Sequence, residues 1–195
     1  MEVIIDSNKR YSFADYLTWW DDTRRELFEG IVKVMSPAPG RIHQQISTDL
    51  LFIFRSFLNA KVCKVYHAPF DVRLPLNGEK GDNEIFTIVQ PDICIVCDPA
   101  KLDDRGCLGA PDLIVEIVSP SSNQKDVKDK YIIYEKAGVK EYWIVFPFER
   151  VLSVFILSNE GKYQSIGMFT PGDTVLVTIF NGDLVVNVAD LFANI

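Results

Sequence analysis

The sequence predicts a mixed α/β fold, one sheet flanked by helices and followed by a C-terminal antiparallel meander, in a single domain over residues 1–195. Three observations predict it. The apolar run "DLIVEIV" is followed by a helix-forming stretch and then by a second apolar run, "EYWIVF", which is a strand–helix–strand unit with buried strands. Ile42, Ile46, Leu50, Ile53, Phe54, Phe57 and Leu58 recur at helical spacing and form one apolar stripe. The last quarter, "VLSVFIL", "KYQSIGMF" and "TVLVTIF", is punctuated by Asn-Glu-Gly, Pro-Gly-Asp and Asn-Gly-Asp turns.

Taken in order, Ser12 and Asp15 form a capping box at the head of a short helix that continues into Tyr16, Trp19 and Trp20. "RELFEGIVKVMSP" reads as two short strands around Gly30, halted by Pro37 and Pro39. The helical stripe then gives a long helix from Arg41 to Ala60. "KVYHAP", "FDVRL", "IVQPDICIVC" and "DLIVEIV" read as strands, with a polar loop between Leu76 and Glu84. The serines after Pro120 cap a second helix from about Asn123 to Ala137, ended by Gly138. A final turn of helix is expected near "VADLFANI".

Composition excludes some functions. The chain carries 20 Lys and Arg against 27 Asp and Glu, a net charge of −7, whereas a general nucleic-acid binder usually has a basic excess. Any nucleic-acid contact should therefore be confined to one face and show a shallow salt dependence. No apolar run approaches the roughly 20 residues needed to span a bilayer. The start "MEVIIDSNKRYSF" has acidic residues and no signal-peptide core, so no membrane association and a cytoplasmic location are expected. Cys94 and Cys97 form a C-x-x-C inside a strand, where residues three apart face opposite ways and cannot share an ion, so they read as small buried hydrophobes. Cys63 and Cys107 carry no recognisable spacing.

The candidate chemistry lies in "IVQPDICIVCD" and "GAPDLIVEIVSPSS", each with a carboxylate inside an apolar run. Burying a lone carboxylate costs several kcal/mol unless a partner or a cation offsets it, so Asp92 and Glu116 need a physical reason to be there. Asp112 shares a face with Glu116 but lies roughly 13 Å from it along a strand, too far to chelate one ion with it. Asp92, on another strand, can be brought beside Glu116. On the second helix, Lys130 falls within the stripe of Val127, Tyr131 and Tyr134. It either snorkels to water or points at Glu116.

"RELFEG", "MSPAPGRIHQQIS", "VQPDICIVCD", "GAPDLIVEIVSPSS", "KDKYIIYEKAGVKEYWIVF" and the terminal "LF" occur in order along nearly the whole chain. Together they resemble the Uma family of endonucleases, built on the PD-(D/E)XK restriction-endonuclease-like fold. The resemblance implies that Pro91-Asp92 is the "PD" element and Glu116-Ile117-Val118 the "(D/E)XK" element. Val118 stands at the usual lysine, and the lysine is displaced onto the following helix as Lys130. Glu26 matches the family's early glutamate, with a surface salt bridge to Arg24 or Arg25 as the plain alternative. His43 matches a histidine at the start of the first long helix, where it either contacts the scissile phosphate or a metal-bound water, or simply caps the helix. Phe146 and Glu29 depart from the family pattern, at positions where aspartate, or aspartate or asparagine, is common.

The resemblance implies a Mg²⁺-dependent (or Mn²⁺-dependent) phosphodiesterase with catalytic residues Asp92, Glu116, Lys130, Glu26 and His43. Asp92 and Glu116 would be the metal ligands. The implied partner is nucleic acid, DNA before RNA, and a homodimer is expected if the substrate is duplex. The rival from another class is a nuclease-fold module without turnover that serves in protein or nucleic-acid binding. His67 reads as structural.

Overall fold

A computed structural model describes residues 3–35, 38–119 and 124–195. In chain order the elements are α1 (Phe13–Tyr16), β1 (Arg25–Phe28), β2 (Ile31–Val34), α2 (Arg41–Phe57), β3 (Lys64–His67), β4 (Val72–Arg73), β5 (Ile88–Val89), β6 (Ile93–Val96), β7 (Leu102–Asp103) and β8 (Gly106–Leu108). They continue with β9 (Leu113–Ile117), α3 (Gln124–Ala137), β10 (Glu141–Phe146), β11 (Val151–Leu157), β12 (Tyr163–Phe169), β13 (Thr174–Leu176), β14 (Val185–Asn187) and α4 (Val188–Phe192). The expected mixed α/β fold is what forms, with two six-stranded sheets where the sequence suggested one.

The central sheet runs β12-β11-β10-β9-β6-β3, with β9 and β10 parallel across α3 and the other neighbours antiparallel. Because successive strand residues face opposite ways, its two faces enter two cores. Ile93, Ile95, Leu113, Val115, Ile117, Trp143 and Val145 meet Ile46, Leu50 and Phe54 of α2. Cys94, Val96, Ile114, Tyr142 and Ile144 meet Ile133 and Tyr134 of α3 and the second sheet, β2-β1-β5-β4-β8-β7. Burial of each fully covered α2 side chain is worth about 1.5–3 kcal/mol, so this stripe fixes the helix against the sheet.

Several elements differ from expectation for identifiable reasons. "IVQPDICIVC" is not one strand: Pro91 has no N–H to donate to a ladder, and the segment splits into β5 in the second sheet and β6 in the central one. Asp92 therefore sits at the head of β6 rather than inside a strand. The first helix is a single turn, closed by its capping box, and ends at Tyr16 before the tryptophans. "LDDRGCL", without a strand pattern, forms the β7–β8 hairpin. β10, β11 and β12 form the meander, but β13 pairs with β14 in a separate ribbon, and "TIF" is a 3₁₀ turn. Cys63 and Cys97 are not independent hydrophobes. They flank the antiparallel pair Lys64↔Val96, which sets them opposite one another, and they form a disulfide, while Cys94 and Cys107 are free and buried. The expected stop at Pro37 and the serine cap with helix start at Asn123 lie outside the described residues.

Two turns bear on the site. Glu29 and Gly30 both have positive φ, 49° and 88°, the backbone of a tight hairpin turn, and a Cβ on Gly30 would meet Arg10 Cβ at 2.9 Å. This turn fixes the register Glu26↔Lys33. Gly138, at φ 87°, terminates α3 as expected and returns the chain into β10. Among the described residues no helix is long and apolar enough to cross a membrane.

Candidate active site

The register of β6 on β9, Ile93↔Val115, sets Asp92 across from Glu116 one step beyond the paired residues. Glu116 shares parity with Ile114 and so faces α3 rather than α2. From α3, Lys130 Nζ lies 2.9 Å from Glu116 Oε1 and 3.0 Å from Glu26 Oε1, which β1 carries in from the second sheet. Glu26 Oε1 also accepts the backbone N–H of Gln90 at 2.8 Å. Tyr134, one turn along from Lys130, donates its hydroxyl to Glu116 Oε1 at 2.6 Å. From the first turn of α2, His43 Nε2 lies 3.1 Å from Asp92 Oδ2, which also accepts the Ile117 N–H at 2.7 Å.

All five residues singled out in the sequence thus line one cavity of about 290 Å³. The plainer alternatives do not describe them. The Lys130 side chain is only 13% exposed, so its ammonium is not snorkelled into water. Glu26 pairs with neither arginine beside it, since Arg25 pairs with Asp21 and Arg24 bonds Gln90. Gly40 occupies the N-cap of α2, and His43 turns inward. His67 bonds the Ala68 carbonyl on the exposed side of β3.

With this geometry in place, the sequence comparison decides the family: the Uma2 family model, described as "putative restriction endonuclease", matches residues 13–189. The chain belongs to the Uma2 family. A Synechocystis protein named slr1290 is 22% identical over 157 residues, covering 79% of this chain and 78% of that protein. A crystal structure described as a putative nuclease of the DUF820 group from Anabaena variabilis superposes with a TM-score of 0.75 at 20% identity, covering 94% of this chain and 98% of that one. That likeness carries the fold.

In this Uma2 chain the site holds three carboxylates, Glu26, Asp92 and Glu116, around one lysine ammonium. Burial pushes Glu116 up to about 7; the Lys130 charge pulls it down, while Asp92 and Glu26 add to the rise. Burial alone would lower Lys130, but the charges of Glu116, Glu26 and Asp92 outweigh it and hold the lysine protonated. His43 is likewise raised, its bond to Asp92 overcoming its burial.

The residues present fit a hard divalent cation. Asp92 Oδ2 and Glu116 Oε1 are committed to protein donors, while the second oxygen of each makes no hydrogen bond among the described residues. Carboxylates gathered at one lysine, with lone pairs unused among the described residues, suit Mg²⁺, which is usually held by one or two carboxylates and keeps several waters. Among the described residues no group of three or more His, Cys, Asp and Glu is arranged to hold a metal ion.

Sequence reasoning missed Tyr134, Arg24 and Gln90. Tyr134 reads as part of an apolar stripe, and its one signal is a hydroxyl that must find a partner once buried. Arg24 lies just before β1 and Gln90 between β5 and β6, where nothing in the local pattern marks them.

Proposed function

We propose that this protein is a Mg²⁺-dependent, or Mn²⁺-dependent, endonuclease that hydrolyses phosphodiester bonds of nucleic acid, DNA being the first substrate to test. The observation that carries this reading is the Lys130 ammonium held between Glu116 and Glu26 in the cavity that Asp92 also lines. Asp92 and Glu116 would hold the cation, which when bound lowers the pKa of a bound water and offsets charge developing on the phosphate. Lys130 supplies a fixed positive charge within the cavity, where a preorganised charge is worth far more than in water. Glu26 and Tyr134 set the position of Lys130 and of the Glu116 carboxylate, and His43 fixes Asp92 through Nε2. Two strands of a duplex call for two such centres, so a homodimer is the assembly favoured for duplex cleavage.

The rival reading, a binding module without turnover, rests on Val118 at the position where the motif has its lysine. The test is incubation of end-labelled DNA and RNA with the purified protein and Mg²⁺ or Mn²⁺. The proposal expects cleavage that Asp92→Ala abolishes and Lys130→Met lowers by ~10²–10³. Intact DNA and RNA with both metals would leave the binding module standing.

A further inference from the structure

Four basic side chains line the cavity: Arg24, Lys33, His43 and Lys130. Three have carboxylate partners. Lys130 pairs with Glu116 and Glu26, His43 with Asp92, and Lys33 with Asp126 and Asp129 at 3.5 and 3.6 Å. Arg24 differs. Its Nε and Nη2 both donate to Oε1 of Gln90, at 3.0 and 2.8 Å, and among the described residues no carboxylate pairs with it.

Gln90 is itself locked. It is 7% exposed, and its Nε2 donates to Asp71 Oδ1 at 2.8 Å and to Tyr16 Oη at 3.2 Å. Those two acceptors fix which end of the amide faces Arg24, so the guanidinium is held by a neutral oxygen, with its remaining N–H groups unspent among the described residues. A guanidinium presents five donors in a planar fork that matches phosphate, and here two are used to hold it in place. In a chain of net charge −7, a polyanion reaching this cavity needs a local cation that is not already neutralised.

We propose that Arg24, positioned by Gln90, binds a phosphate of the nucleic-acid backbone at the mouth of the cavity. This rests on the nuclease reading and adds to it a strand-binding contact outside the five site residues. The contact is to phosphate and carries no base preference. Gln90 acts as a positioning residue: its side-chain amide oxygen holds Arg24 while its backbone N–H holds Glu26, which ties the phosphate contact to the catalytic cavity.

The test is fluorescence anisotropy with fluorescein-labelled DNA and RNA oligonucleotides, single-stranded and duplex, with Ca²⁺ replacing Mg²⁺ so that binding is read without cleavage. Each titration is repeated over a range of salt concentrations. Arg24→Gln should weaken binding about tenfold and reduce the slope of log affinity against log salt by about 0.7 for single strands or 0.9 for duplex, one phosphate contact. Arg24→Lys keeps the charge and should keep the slope while losing affinity, because the fork held by Gln90 is gone. Thermal melting of each variant reports folding separately. Which oligonucleotide shows the loss identifies DNA or RNA as the source of the phosphate. An unchanged slope and affinity in Arg24→Gln would overturn this proposal and leave the nuclease reading in place. Absence of binding to every oligonucleotide by the wild-type protein would overturn both.

Discussion

Glu116 on β9 and Glu141 on β10 are glutamates in neighbouring parallel strands, the first half-buried and the second fully buried, with opposite surroundings. Glu141 is fully enclosed and accepts four uncharged donors: Trp143 Nε1 at 2.8 Å, and Thr178 N, Thr178 Oγ1 and Ile179 N at 2.8, 2.6 and 3.0 Å. Both of its oxygens are used, and the carboxylate ties the 3₁₀ turn after β13 to the central sheet. Glu116 spends one oxygen on Lys130 and Tyr134, keeps the other free of hydrogen bonds among the described residues, and shares its cavity with Glu26, Asp92 and Asp126. A buried carboxylate saturated by neutral donors is a structural tie, whereas one crowded by like charge with lone pairs to spare is poised for a cation. The contrast predicts that one glutamate supports stability and the other function.

The largest effect should come from Glu141→Ala. It strands four donors in the core and should lower unfolding stability by about 3–5 kcal/mol in urea titration, with cleavage per folded molecule unchanged. A loss below about 1 kcal/mol would break the comparison on its structural side. Next comes Lys130→Met, which should keep the far-UV circular dichroism of the wild type and lower Mg²⁺-dependent cleavage by ~10²–10³. An undiminished rate would remove Lys130 from the chemistry.

A smaller effect of opposite sign is expected for Glu116→Gln. It removes one of three clustered carboxylates, so in EDTA near pH 8 the variant should be as stable as the wild type or more so, by up to about 1 kcal/mol, in keeping with the stability cost of functional sites. Destabilisation as severe as that of Glu141→Ala would make Glu116 a structural tie as well. The smallest effect is on pH. Because the folded pKa of Glu116 lies above its unfolded value, its stability contribution is complete below the ordinary glutamate pKa and is lost as pH rises through about 7. Differential scanning calorimetry of the metal-free protein should therefore show this contribution declining between pH 5 and pH 8. Added Mg²⁺, which needs the ionised carboxylate, should raise the melting temperature more at pH 8 than at pH 6. Equal rises at both pH values would separate Glu116 from the cation.

The two glutamates also mark what could be read in the sequence. A carboxylate in an apolar strand flagged Asp92 and Glu116, but the same signal is carried by Glu141 in "EYWIVF" and by Asp112, which the structure ties to the Cys97 N–H and Lys140. Strand context therefore signals that a carboxylate has partners without saying which. Lys130 was legible because helical spacing placed it on the buried face, and α2 because its stripe is long. The elements that escaped depend on long-range pairing. Pro91 divides one apolar run between two sheets, Cys63 meets Cys97 only through the β3–β6 register, and Arg24 meets Gln90 across 66 residues. None of these has a local periodicity.

Isothermal titration calorimetry with Mn²⁺ on the wild type, Glu116→Gln and Glu141→Gln at pH 8 separates a cation ligand at Glu116 from a structural tie at Glu141. The account predicts a binding isotherm for the wild type and for folded Glu141→Gln, and its loss in Glu116→Gln. Equal binding by Glu116→Gln and the wild type, or no binding by any of the three, would contradict it.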